Sequence, residues 1–310
     1  MKSEKWEQVH ARYPVKISAY VLEHIRKDPG GAWARQALPS VDELIDEPGM
    51  VPDPFAEKGV AACCYGVKQR FPNRVLVMTS DQCALNCRHC TRKGLLHQAE
   101  VVLTAKQLAA AVAYVKAHPL VREVLLSGGD PLMLSDTKVL AFVKAFASLP
   151  QIDAVRIGTR MPAVNPARIT QTLAKKLGAF KKVWVNTQFN HVSELTPEAL
   201  CACALLVEAG IPVSNQSVLL KGINDSVDEL VALCSALQRA RVRPYYVCFS
   251  ATRSPALPIF ACHWPRLGAL PASCPSAWEA SRSRALCAIG LAHPASRSCK
   301  GRVRKRTPCN

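Results

Sequence analysis

Two hydrophobic periods take turns along the chain from residue 74 onward. β-rich apolar runs fall at 74–80, 123–129, 154–160, 183–189, 213–219 and 243–247. Between them, apolar residues recur every three to four positions over 104–118, 136–148, 170–177, 196–209 and 226–239. The first period suits strands and the second amphipathic helices. Thr170 and Thr196 stand where N-caps belong, and Gly210 where a helix stops. Strand–helix repetition with short connections predicts a parallel sheet. Six strands without a dinucleotide-type glycine turn favour an α/β partial (β/α)6 barrel over a doubly wound sheet. In such barrels the chemistry sits at the C-terminal ends of the strands.

Outside this repeat the pattern weakens. Residues 1–62 read as an N-terminal segment of helices and loops. Apolar spacing is helical over 17–26 and breaks near Asp28-Pro29-Gly30-Gly31. Ser40-Val41-Asp42-Glu43 reads as a capping box opening a short helix, and Pro52 and Pro54 mark a linker. The barrel is assigned to 63–247. From 248 to 310 neither period persists, and 42 of those 63 residues are Ala, Ser, Pro, Cys, Arg or Lys, so this tail reads as irregular and of low order.

Composition narrows the class. The net charge is +17, but the tail alone carries ten Lys or Arg against Glu279, which leaves +8 over the first 247 residues. A body of that size at +8 is mildly basic, which favours a solvated surface over a nucleic-acid groove. No run of eighteen apolar residues occurs, so a membrane span is not expected. The charged opening Met1-Lys2-Ser3-Glu4-Lys5 lacks a signal peptide's apolar stretch, and a cytoplasmic protein is expected. Of fourteen cysteines, only Cys83, Cys87 and Cys90 have ligand spacing. A secreted disulfide scaffold would be shorter and would follow a signal peptide.

Those three cysteines follow the first strand directly as Cys83-x3-Cys87-x2-Cys90. Three thiolates on one tight loop can ligate three irons of a cubane, leaving the fourth iron for another ligand. The rival is zinc, which takes four ligands, usually from paired Cys-x2-Cys units, and His89 is poorly spaced to be the fourth. Ser127-Gly128-Gly129-Asp130-Pro131 closes the second strand. Two glycines let the backbone approach a ligand, and the acid can take a cation; alone, the same string is an ordinary turn after a strand.

The longer series Arg70-Phe71-Pro72-Asn73-Arg74, Cys87-Arg88-His89-Cys90-Thr91-Arg92, Val124 to Leu132, Arg156-Ile157-Gly158-Thr159-Arg160, Asn186 to His191, Asn215 to Leu220 with Gly222 to Asp225, and Arg241 to Tyr246 resembles the lysine 2,3-aminomutase family of radical S-adenosylmethionine (SAM) enzymes, in order, over about residues 30–247. The resemblance implies three cofactors: a [4Fe–4S] cluster on Cys83, Cys87 and Cys90, SAM, and pyridoxal 5′-phosphate (PLP). It implies that a 5′-deoxyadenosyl radical takes hydrogen from C3 of an amino acid while nitrogen moves from C2 to C3. By position in the family motifs, His89, Ser127, Gly128, Gly129, Asp130 and Gln188 lie toward SAM. Arg70 and Arg74 lie toward the PLP phosphate, Arg92 toward the substrate carboxylate and Asp225 toward an ε-ammonium, which favours L-lysine over glutamate. The bland alternatives are surface charges for the arginines and a turn for Asn224-Asp225.

Three departures qualify the resemblance. Gln188 stands where the family often has histidine, and Phe71 replaces a tyrosine. The glycine-rich segment with the PLP lysine has no counterpart in 248–310, where neither Lys300 nor Lys305 has the right surroundings, so the catalytic lysine is unknown. The tail reads as a frameshifted family C-terminus. At an offset of two bases, codons for Cys248–Thr252 can read Phe-Gln-Cys-Asp, those for Pro258–Cys262 His-Phe-Arg-Val, and those around Ala292–Ser296 Ala-Pro-Ser-Lys. The expected partners are a small amino acid and an electron donor such as a flavodoxin or ferredoxin, with no membrane; a homo-oligomer is compatible. The reading is an amino-acid 2,3-aminomutase, inactive as written if the lysine segment is lost. The alternatives are a PLP-free radical SAM enzyme acting on RNA and a non-catalytic product.

Overall fold

The computed structural model describes residues 4–46, 66–95 and 102–248, with residues 48, 50, 51 and 53. The expected linker prolines and the tail beyond Cys248, with Lys300 and Lys305, lie outside the described residues. Seven strands form one sheet: β1 (Val67–Phe71), β2 (Arg74–Ser80), β3 (Glu123–Gly128), β4 (Ala154–Gly158), β5 (Val183–Thr187), β6 (Val213–Val218) and β7 (Arg243–Cys248). Their spatial order is their chain order. β1 pairs antiparallel with β2, and every later pair is parallel. A doubly wound sheet reverses strand order at its switch point. No reversal occurs here, and right-handed crossovers then put every connecting helix on one face. Among the described residues no pairing joins β7 to β1, so the sheet is an open, partial barrel.

All six expected strands are present. β3, β4 and β5 end one or two residues early, because Gly129, Arg160 and Phe189 have already left the ladder. The short β1 was not expected. Its sequence, Val-Lys-Gln-Arg-Phe, carries one fully buried apolar residue, and its conformation is supplied by pairing with β2 across the turn at Pro72-Asn73.

The helices are α1 (Glu4–Arg12), α2 (Ala19–Lys27), α3 (Ala32–Ala37), α4 (Ala105–Ala117), α5 (Asp136–Ala147), the single turn α6 (Met161–Val164), α7 (Gln171–Gly178), α8 (Pro197–Glu208) and α9 (Val227–Arg239). The caps read from sequence hold. Thr170 Oγ1 accepts from Leu173 N at 3.1 Å, Thr196 Oγ1 accepts from Ala199 N at 3.1 Å, and Gly210 has φ +79°. The Ser40 capping box opens one turn of 3-10 helix over Val41–Leu44.

Side chains alternate along each strand. Val75, Val77, Val124, Leu126, Val155, Ile157 and Val185 are buried under the helices against Val115, Phe146, Leu173, Leu177, Leu206 and Leu237. Their neighbours Arg74, Leu76, Met78, Glu123, Leu125, Ser127 and Arg156 are half-buried. Val21, Ile25, Trp33, Ala34 and Ala37 of the N-terminal segment join the same core. Ser18 Oγ donates to Val164 O at 2.6 Å and Trp33 Nε1 to Ser193 O at 3.3 Å, so this segment lies over the loops that leave β4 and β5. Among the described residues no helix is long and apolar enough to cross a membrane.

Candidate active site at the C-terminal ends of the strands

Residues 81–93 leave the end of β2 as one loop, and the N-terminal segment holds it. Asn86 N donates to Lys16 O at 2.9 Å, and Arg88 N to Gln36 O at 2.8 Å. Asn86 Nδ2 reaches Pro14 O at 3.1 Å. Beneath the loop lies a buried charge cluster. Glu43, presented by the Ser40 capping box, accepts from Arg88 Nε at 2.9 Å, from Arg88 Nη2 and from Lys93 Nζ at 2.9 Å. The two cationic side chains are 1% exposed and the carboxylate 0%. Burial alone would raise the Glu43 pKa, but the Arg88 hydrogen bond and the Lys93 and Arg88 charges outweigh it and hold the carboxyl below its ordinary range. Lys93 moves down, because burial outweighs the attraction of Glu43.

Cys83, Cys87 and Cys90 are free, partly exposed thiols on this loop. The Cys83 pKa is pushed well up by burial, then by Cys90, Asp130 and Cys87; the Cys90 pKa rises through burial and then Cys87. Three thiols on one loop, two of them costly to ionise there, suit a cationic cluster that takes all three as thiolates. Among the described residues no three His, Cys, Asp or Glu side chains converge closely enough for one metal ion. Zinc takes four ligands on one ion, whereas a cubane gives each thiolate its own iron.

The Gly128-Gly129-Asp130 turn is joined to the root of the same loop. Gly129 N donates to Ser80 O at 2.6 Å and Asp130 N to Gln82 O at 2.7 Å. A Cβ at Gly128, whose φ is +117°, would lie 2.2 Å from Ser80 O, and one at Gly129 2.2 Å from Gln82 O. The glycines are therefore required by the close passage of the cysteine-loop backbone. Asp130 departs from the expectation of a side chain offered to a cation. Its carboxylate accepts from Thr159 Oγ1 at 2.7 and 2.9 Å, from Arg160 N at 2.7 Å and from Leu132 N at 2.9 Å. Burial raises its pKa against these four neutral contacts, and it ties the ends of β3 and β4 together.

β5 delivers the opposite wall. Gln188 Nε2 lies 3.0 Å and Asn190 Nδ2 3.3 Å from His89 Nε2. Burial, then Arg160 and Lys93, push the His89 pKa well down, so the ring is neutral and its Nε2 accepts from both amides. Arg92 Nη1 donates to Gly128 O at 3.1 Å, bridging the cysteine loop and the glycine turn. Arg160 begins α6. Its Nη1 lies 2.7 Å from Cys87 Sγ, and its Nη2 donates to Gln36 Oε1 at 2.7 Å and Glu194 Oε1 at 2.6 Å.

Cys83, Cys87, His89, Cys90, Arg92, Ser127, Gly128, Gly129, Asp130 and Gln188 thus gather at one end of β2, β3 and β5. Arg70 and Arg74 belong to the other end. Arg74 starts β2, six residues before Ser80, or about 20 Å at ~3.3 Å per residue. Arg74 Nε and Arg156 Nε each lie 3.1 Å from Glu123 Oε2, and Arg70 is exposed on β1. Asp225 is half-buried in the turn between β6 and α9 and accepts from Gly222 N at 2.8 Å. Sequence reasoning gave no role to Glu43, Gln36, Arg160, Asn190 or Glu194. The capping-box string around Glu43 and the strand-end position of Arg160 were the available signals; the convergence of five chain segments was not one.

The radical SAM superfamily model matches residues 77–234. L-lysine 2,3-aminomutase of Acetoanaerobium sticklandii is 43% identical over 74% of this chain and 56% of its own length. Glutamate 2,3-aminomutase of Clostridioides difficile is 34% identical over 79% of this chain and 58% of its length. L-lysine 2,3-aminomutase of Escherichia coli is 33% identical over 76% of this chain and 68% of its length. The chain spans about half the length of the first-matched relatives. With the matched superfamily covering half the chain, and relatives of one name spanning the open barrel and its cysteine loop, the chain belongs to the lysine 2,3-aminomutase family of radical SAM enzymes.

Proposed function

We propose that this chain is built for 2,3-aminomutase chemistry on a free amino acid, with L-lysine as substrate, and that without the family's lysine segment in 248–310 it does not turn over as written. The carrying observation is the Cys83–Cys90 loop, bound by backbone hydrogen bonds to the Gly128–Gly129 turn at the open mouth of a parallel barrel. The cluster and SAM supply, when bound, a 5′-deoxyadenosyl radical that abstracts hydrogen, and PLP carries the migrating nitrogen.

The chain's own part is positioning. Cys83, Cys87 and Cys90 hold the cluster. Gly128 and Gly129 keep the SAM-side turn against the loop, and neutral His89 with Gln188 forms its flank. Arg92, fixed between that loop and that turn, binds the substrate carboxylate; its planar fork suits a carboxylate. For the PLP phosphate, Arg70 and Arg74 are the residues assigned; Arg74, on the sheet face away from the helices, shares the Glu123 carboxylate with Arg156, so that end keeps an excess positive charge. No lysine of this chain is assigned to PLP, because 248–310 has no counterpart of the family's lysine segment. Lysine is preferred to glutamate because the relatives with the higher identities are named for lysine. Asp225, held in its turn, is not needed for that choice. The electron comes from a flavodoxin- or ferredoxin-type donor.

The test is anaerobic reconstitution. Wild type should hold ~4 Fe per chain; Cys83→Ala, Cys87→Ala and Cys90→Ala should lose the iron and the cleavage of SAM to 5′-deoxyadenosine. Zinc in place of iron would overturn the cluster. PLP uptake is read with the C-terminus restored in frame, since 248–310 lacks the lysine segment; a restored protein that cleaves SAM but takes up no PLP would overturn the aminomutase reading and leave a PLP-free radical SAM enzyme.

A further inference from the structure

A buried cation touches one of the three cysteine sulfurs, and nothing in the positioning roles above accounts for it. Arg160 is 7% exposed. Its backbone is fixed by Asp130, to which its N donates at 2.7 Å. Its guanidinium is divided between two tasks. One end, Nη2, is shared by Glu194 Oε1 at 2.6 Å and Gln36 Oε1 at 2.7 Å; the other, Nη1, lies 2.7 Å from Cys87 Sγ. Glu194 is itself locked, because its second oxygen accepts from Asn190 N and from His191 N at 3.1 Å. The orientation of Nη1 is thus set by three segments, from α3, the β4 end and the turn after β5. By contrast, the described donor to Cys90 is the neutral Arg92 N at 3.4 Å.

We propose that Arg160 is a positioning residue that raises the reduction potential of the cluster through Cys87, and that Glu194 limits how far. This rests on the cluster assignment above. The reduced cluster carries one more electron than the oxidised one, and part of that charge resides on the ligand sulfurs. A cationic N–H on a ligand sulfur stabilises the more negative state more than the less negative one. The low dielectric of a buried site strengthens the effect. The Glu194 carboxylate cancels most of the net charge of the guanidinium at longer range, so the directed N–H on sulfur remains as the larger part. The electron itself comes from the external low-potential donor, and no proton need move.

The consequence is a pair of opposite shifts. Arg160→Met with Glu194→Gln removes the donor and its counter-charge together, leaving no buried ion unpaired. Glu194→Gln alone keeps the donor and removes the counter-charge, while retaining an oxygen for the turn. The full chain, reconstituted anaerobically, is titrated with dithionite and mediators and followed by electron paramagnetic resonance, with iron counted in every sample. The double variant should hold wild-type iron and show a reduced-to-oxidised ratio at least tenfold lower at the wild-type midpoint, which is a midpoint ~59 mV lower for one electron. Glu194→Gln should shift the other way. Arg160→Lys, which keeps a cation of shorter reach, should fall between wild type and the double variant. Wild-type midpoints in the double variant and in Glu194→Gln, with full iron, would overturn the proposal. If the double variant holds no iron, Glu194→Gln alone decides, and an unmoved midpoint overturns it. Wild-type protein without iron would instead overturn the cluster assignment, and this proposal with it.

Discussion

Glu43 is the perturbation with the largest consequence outside the cysteines. It is fully buried and faces two cations that are themselves 1% exposed. Glu43→Gln keeps the shape and two polar atoms but leaves Arg88 and Lys93 as uncompensated buried charges. Breaking one partner out of a buried ion cluster costs about 3–5 kcal/mol. For a domain of this size each kcal/mol moves the melting point by about 2–4 °C, so the midpoint should fall by roughly 6–20 °C. The assay is thermal and urea denaturation of the apo protein by circular dichroism, with iron uptake measured in parallel. Iron uptake should fall too, since Arg88 and Lys93 flank the cysteines. Replacing the whole cluster, Glu43→Leu with Arg88→Met and Lys93→Met, should recover most of the loss, because the desolvation cost of three charges disappears with them. The exposed pair Lys27–Glu23 is the control, and Glu23→Gln should leave the midpoint unmoved. The pH dependence has a defined sign. Glu43 is held below its ordinary 4.5, so its contribution is complete above 4.5 and disappears as pH falls through the lower folded value. Wild type should lose stability in that window faster than Glu43→Gln. A Glu43→Gln protein that melts with wild type would refute the reasoning.

Other outcomes follow from the same geometry. Gly128→Ala, at φ +117° with Ser80 O 2.2 Å from the new Cβ, should cost at least ~2 kcal/mol and reduce iron uptake, whereas Gly210→Ala, at φ +79° with nothing within 4 Å, should cost ~1 kcal/mol and leave iron unchanged; denaturation midpoints separate them. In a protein with an intact C-terminus, Arg92→Ala should weaken every amino acid that turns over, by about 2–5 kcal/mol in kcat/KM, because all share the α-carboxylate; a loss confined to lysine would contradict that role. Phe146→Ala, in the fully buried core, should cost about 3–5 kcal/mol in urea denaturation without moving the cluster signal. Sequencing the gene across codons 240–310 should reveal a family-like C-terminus two bases out of frame; an uninterrupted frame with no such reading would remove the frameshift.

The sequence by itself determined the alternation of strand and helix, the caps at Thr170 and Thr196, and the cysteine loop at the end of the first parallel strand. These are local matters: a side-chain period, a hydroxyl within reach of its own backbone, three thiols within eight residues. It also singled out Gly128 and Gly129, but not that the carbonyls of Ser80 and Gln82 leave no room there for a Cβ. Asp130 and Asp225 read as charges offered outward. Folding turned both carboxylates onto nearby hydrogen-bond donors, since Thr159 and Arg160 arrive from the end of β4 and Gly222 from three residues back. β1 carried too little apolar pattern to be seen, because its conformation comes from its partner strand. Only the tertiary structure decided what surrounds the cysteines. Glu43, Gln36, Arg160 and Glu194 are scattered over more than 150 residues, and what unites them is a buried volume where each charge must find its opposite. That requirement operates through space, so no spacing along the chain records it.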